Sequence, residues 1–170
     1  MILEAATKAA SGSNTQPWEF VVVLDEKVKS RLAGPMLEAW MKRLAASNMR
    51  PQMRQVYDDA TVMLKNTEKV PAIVFCCFDR DRSSKSEEVQ YASILPSVQN
   101  LMLAAHAYGI GSCLTVHGST STRGEPEVKK ILGIPDRVKI ACLVYLGYPT
   151  RKYGPPKRRP LKNYVHYDGW

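Results

Sequence analysis

Apolar positions along the chain fall into a few short, dense runs divided by polar and turn-forming residues, with one long amphipathic stretch at the centre. Ile2, Leu3, Ala6, Ala9 and Ala10 recur at helical spacing, so residues 2–10 read as the end of a helix. Residues 11–17 are polar and rich in turn formers, hence a loop. The Val-rich run 18–24 predicts a strand. Asp25 then suits the N-cap of a short helix ending at Ala33. Residues 35–69 read as mostly helical, broken near Pro51, and 72–78 as a continuous apolar run of the kind a buried strand shows. The strongest helix spans 87–108, where Ile94, Val98, Leu101, Ala105 and Tyr108 form one apolar face. Pro96 inside it predicts a kink or local break, and Gly109 a C-cap. A strand at 110–116, a short helix at 125–132 with Pro126 in its first turn and Gly133 beyond its end, and a strand at 138–146 follow. Helices and strands alternate loosely, which predicts a mixed sheet packed by helices, α/β or α+β, with no strand order implied.

Length and composition narrow this picture. The chain's 170 residues suit one domain, and 45% apolar residues suffice for a core. No run of 18 apolar residues exists to span a membrane, and the start lacks the basic, then apolar, pattern of a secretion signal. A cytoplasmic protein is expected. Cys76, Cys77, Cys113 and Cys142 each lie in or beside an apolar strand-like run, no CxxC occurs, and neighbours Cys76 and Cys77 should face opposite sides of a strand. They read as buried, reduced thiols rather than a redox pair or metal site. His106, His117 and His166 show neither triad nor metal spacing, so no metal is expected. Trp40, Met41, Leu44 and Met49 read as core rather than ligand contacts.

Charge is concentrated. The net charge is +8, yet Arg151, Lys152, Lys157, Arg158, Arg159 and Lys162 lie within twelve residues free of acids. Such a cluster attracts phosphate, whether from a cofactor or a nucleic acid. Tyr164, Tyr167 and Trp170 could stack on bases or pack on a partner.

Candidate chemistry lies in the loop. Asn14 and Gln16 each offer a donor and an acceptor, which suits a heterocycle with alternating C=O and N–H groups such as flavin, and Gly12 allows close backbone approach. By spacing alone this is also an ordinary polar turn. Ser11-Gly12-Ser13-Asn14-Thr15-Gln16-Pro17-Trp18, running into Glu19-Phe20-Val21-Val22-Val23, resembles the flavin-site segment of the nitroreductase family. Further stretches resemble that family in the same order: Val70-Pro71-Ala72-Ile73-Val74, then Gln99 to Cys113 as its central helix and following strand. Leu132-Gly133-Ile134-Pro135 and Leu146-Gly147-Tyr148-Pro149 match its late turns, and Lys157-Arg158-Arg159-Pro160-Leu161 its C-terminal phosphate contact.

This resemblance covers nearly the whole chain and implies an α+β fold, with a mixed, mostly antiparallel central sheet flanked by helices, in an intertwined homodimer. It implies a single domain over 1–170 with a basic and aromatic arm at 150–170. Two FMN sites would lie at the subunit interface. Ser11, Gly12, Asn14 and Gln16 would contact flavin from one subunit; Thr115, Val116, His117 and Gly118 would offer backbone groups to the reactive edge; Lys157 and Arg159 would hold the phosphate. The family's usual N-terminal segment, resembling Arg-Arg-Ser-x-Arg, falls before this sequence begins. The implied activity passes hydride from NAD(P)H through FMN to nitroaromatic or quinone-like acceptors, with reductive dehalogenation as a specialised variant. A non-catalytic dimeric binding protein of the same descent is the alternative. Neither a membrane nor a nucleic acid is an expected partner.

Overall fold

A computed structural model of the chain describes residues 1–47, 51–82, 86–116 and 124–170. Its elements run α1 (Ile2–Ala6), β1 (Trp18–Val23), α2 (Glu26–Ala45), α3 (Arg54–Lys65), β2 (Ala72–Asp79), α4 (Glu87–Ala107), β3 (Gly111–Thr115), α5 (Glu125–Leu132) and β4 (Val138–Gly147). The four strands form one sheet in the order β1-β2-β4-β3, and all three pairings are antiparallel. No described helix is long and apolar enough to cross a membrane.

Alternation along the two central strands builds a core on each face of the sheet. Ile73, Phe75 and Cys77 of β2 point into the layer made by α2, α3 and α5, while Val74, Cys76 and Phe78 point into the layer made by α1 and α4. The adjacent cysteines thus face opposite ways, as expected. β4 carries one extra residue. Cys76 pairs with Cys142 but Cys77 with Ile140, so Ala141 is a bulge, and Ala141 and Cys142 both face the α4 layer. Burial pushes the Cys77 thiol up to about 12, so it is a protonated core residue. Cys113 departs from the expectation of burial. It is exposed, standing on the edge strand β3.

Helices α2 and α4 also differ from their sequence patterns. Gly34 and Pro35 read as a boundary, yet α2 runs through both. Leu32, Met36, Ala39 and Trp40, on either side of the proline, are all buried, and the Trp40 Nε1–H donates to Thr61 Oγ1 at 2.7 Å. Burying those four side chains, at about 1.5–3 kcal/mol per large one, outweighs the roughly 3 kcal/mol that an interior proline costs. Asp25 caps the helix as expected, its Oδ1 accepting from Val28 N at 2.9 Å. Likewise α4 continues unbroken through the exposed Pro96, with Ile94, Val98, Leu101 and Ala105 fully buried. Tyr108 is half exposed and lies past its end. Gly109, at φ 71°, closes the helix, its N–H donating to His106 O at 2.9 Å.

Candidate functional site

Residues 11–17 leave α1 and make a single 3-10 turn, Gly12–Asn14, before entering β1. Three non-glycine residues sit at positive φ here: Ser13 and Asn14 at 54° and Gln16 at 47°. Each costs on the order of 1 kcal/mol, so the surrounding contacts must hold the shape. Five hydrogen bonds do so from within the loop, among them Thr15 N to Gly12 O at 3.2 Å. Asn14 N donates to Ser11 O (3.0 Å), Thr15 Oγ1 to Gly12 O (2.9 Å), Gln16 N to Ser11 Oγ (3.0 Å) and Gln16 Nε2 to Asn14 Oδ1 (3.0 Å).

Two anchors fix the loop to the body. Gly12 N donates to Ser93 Oγ on α4 at 3.1 Å, and Ser93 donates in turn to Val89 O at 3.0 Å. A Cβ at Gly12 would lie 2.9 Å from Val89 Cγ1, so the chain touches the helix where only glycine fits. At the other end Asp79 N donates to Pro17 O at 3.1 Å. Asp79 is itself held by Asp81 N (3.0 Å) and Arg137 Nε (3.1 Å), and the backbone donor of Asp81, with Arg137 and Arg82, keeps its carboxyl below the usual range. Ser93 and Asp79 were not legible as site residues. The only signal was a serine on an otherwise apolar helix face, a position occupied more often for packing than for a ligand.

The result is a pair of exposed amides in fixed relation. The Asn14 Nδ2 group and Gln16 Oε1 have no partner among the described residues, so donors and an acceptor stand side by side facing outward. That outward-facing set of donors and an acceptor fits the polar edge of a planar heterocycle.

The other predicted residues divide into three. Thr115 ends β3, paired with Leu143 and buried, and Val116 follows it at the surface. His117 and Gly118 lie outside the described residues. Lys157 and Arg159 stand in an arm that is exposed from Tyr148 to Trp170. Arg159 donates to Tyr164 OH at 2.9 Å with its guanidinium 4.6 Å from that ring, so the contacts of this stretch are internal to the arm. Within one copy, therefore, α4 supports both the loop and β3, but the basic pair is joined to neither.

An antiparallel sheet of order 1-2-4-3 between two helical layers, with a strained amide-bearing loop on its longest helix, defines a class of α+β folds. Within that class the chain belongs to the Nitroreductase family, whose profile matches residues 1–148. It is similar to an NADH dehydrogenase of Thermus thermophilus, 32% identical over 181 residues, covering 96% of this chain and 82% of the relative. An iodotyrosine deiodinase of Thermotoga neapolitana is 26% identical over 149 residues, 86% of this chain and 74% of that one. Among solved structures an FMN-dependent nitroreductase of Clostridium difficile shares the fold, with a TM-score of 0.72 at 20% identity, covering 99% of this chain and 85% of the other.

Proposed function

We propose that the chain is an FMN-dependent oxidoreductase that draws on NAD(P)H and reduces nitroaromatic, quinone-like or related acceptors. It works as a homodimer with a flavin site at each subunit interface, in the cytoplasm where nicotinamide is available. The observation that carries this reading is the 11–16 loop, held in a costly backbone shape with its free amide groups facing out. Family membership gives that shape a ligand, and the Clostridium relative is named for FMN.

When bound, FMN supplies the two-electron carrier between nicotinamide and acceptor. The chain's own residues bind and orient. Gly12, packed on Val89 and Ser93 of α4, sets the loop's place beside the ring, while Ser11, Asn14 and Gln16 would offer hydrogen bonds to its polar edge. Thr115 and Val116, with His117 and Gly118 next in sequence, would present backbone groups to the opposite edge. Lys157, a point charge, and Arg159, a planar fork, suit the phosphate. Among the described residues no hydrogen bond or ion pair joins either to the loop of its own copy, so a second copy is the natural donor. An open interface with few polar groups would accept varied acceptors.

Two further observations favour the dimer. Helix α4 is apolar on its outer side as well, leaving Val89, Leu95 and Leu103 exposed, as expected for a helix buried between subunits. The arm from Tyr148 onward, with Tyr153, Tyr164, Tyr167 and Trp170, is entirely exposed in one copy. The deiodinase relative favours one specific variant, reductive removal of a halogen from an aromatic ring.

The test is direct. The full chain, loaded with FMN and freed of excess, should keep about one flavin per subunit and bleach when NADH or NADPH is added without oxygen. A chain that takes up no flavin defeats the proposal and leaves the non-catalytic dimer. Bleached protein mixed with a nitroarene, a quinone or an iodophenol then ranks the acceptors.

A further inference from the structure

A groove of about 920 Å³ opens at the Gly111 end of β3, and none of its lining residues belongs to the 11–17 loop or to residues 115–118. Its floor and wall are Tyr145, Met63 and Val70, which belong to the core layer on the sheet face opposite α4. It is within the size range of small-molecule sites. Tyr145 is 4% exposed and lines the groove, its hydroxyl set beside the Thr67 hydroxyl, which donates to Leu64 O at 2.8 Å.

The charges around the groove are of one sign. A second depression, of about 620 Å³, shares His106, Gly111 and Tyr153 with it and adds Arg151 and Lys152. The Arg151 guanidinium is parked over the Tyr153 ring, 5.1 Å from its centre, which holds a cation at the mouth. Lys69 lines the inner part, its Nζ donating to Asn66 Oδ1 at 2.7 Å. No Asp or Glu lines either depression.

We propose that this groove is a second binding site, separate from the flavin loop, for a small aromatic acid. One or two fused rings lie against Tyr145, Met63 and Pro71, and the carboxylate or phenolate is drawn by Lys69, Arg151 and Lys152. The rings contribute most of the affinity through apolar burial. The cations, being solvent-facing, chiefly select the sign of the ligand and orient it.

Cys113 provides a readout that needs no turnover. It lines the groove and is exposed, whereas Cys76, Cys77 and Cys142 are buried. FMN-saturated protein is alkylated with iodoacetamide, an uncharged reagent, with 2-naphthoate as the probe ligand and 2-naphthylmethanol as its neutral counterpart. Ligand at ten times its dissociation constant should slow Cys113 alkylation by about tenfold. The alcohol should protect markedly less at equal concentration, and the pair Lys69→Met with Arg151→Met should erase that difference. Each of three results overturns the proposal: no protection by naphthoate up to its solubility, equal protection by the alcohol, or protection that rises with protein concentration alone. The last would mean that a second copy of the chain covers the groove.

Discussion

Gly12 is the residue on which the site's shape turns. Its N–H is taken by Ser93 and its missing Cβ makes room for Val89. Val89 is β-branched and stiff in a helix, so it yields poorly. Gly12→Ala should cost about 1–2 kcal/mol of stability and weaken FMN binding, measured by urea unfolding and flavin titration. Adding Val89→Ala should restore most of both, a coupling that a double-mutant cycle reads directly. Asp79 gives a pH signature at the loop's other end. Its folded pKa lies below the unfolded value, so its stabilisation is present above the unfolded pKa and lost as pH falls through the folded one. Asp79→Asn should therefore lower stability at neutral pH, and its unfolding curve should converge on that of the parent below about pH 4. Asn14 and Gln16 stand out in the sequence only through the likeness of their segment to a family pattern, since by spacing alone two amides make an ordinary polar turn. Ser93 does not stand out at all, because its role depends on a partner 81 positions away.

At the level of elements, the strands were visible because they are locally dense in apolar residues, and their order was not, because pairing is set by contacts distant in sequence. The continuity of α2 was hidden for a related reason. Gly34 and Pro35 are strong local stop signals, and only the core they bridge overrules them. That bridge has a second function. Gly124, at the start of α5, packs so closely on α2 that a Cβ would stand 2.9 Å from Pro35 O and 3.1 Å from Ala39 Cβ. Just beyond it, Glu125 accepts from Ile140 N at 3.4 Å and pairs with Lys129 at 3.6 Å and Lys139 at 3.5 Å, which pins α5 to β4. Backbone cannot yield as a side-chain tip does. Gly124→Ala should thus cost about 2–3 kcal/mol, more than Gly12→Ala, with a Tm drop seen by calorimetry.

For the whole molecule, the distribution of exposed groups matters more than any one contact. One copy leaves the outer side of α4 and the complete arm uncovered, and carries much of its +8 charge in that arm. If two copies assemble through α4, Leu103→Asp should give a monomer by analytical ultracentrifugation. It should also lose flavin, although Leu103 lies outside the loop proposed to bind it. A variant that stays dimeric with full flavin content would place the interface elsewhere. Neither the arm's destination nor the completeness of the site could be read from one sequence, since both are properties of an assembly.

The bulge at Ala141 also bears on how this gene can change. In β4, Val138 and Ile140 face one layer and Leu143 and Tyr145 the same layer, with a surplus residue between the two halves. Losing the codon for Ala141 would leave every flanking side chain in its present phase and yield an ordinary ladder. Losing the codon for Leu143 would instead draw Cys142 into the place of a fully buried leucine and leave the core short of volume. The strand thus contains one place, at Ala141 and Cys142, where a one-codon deletion removes a surplus position and keeps the alternation of faces.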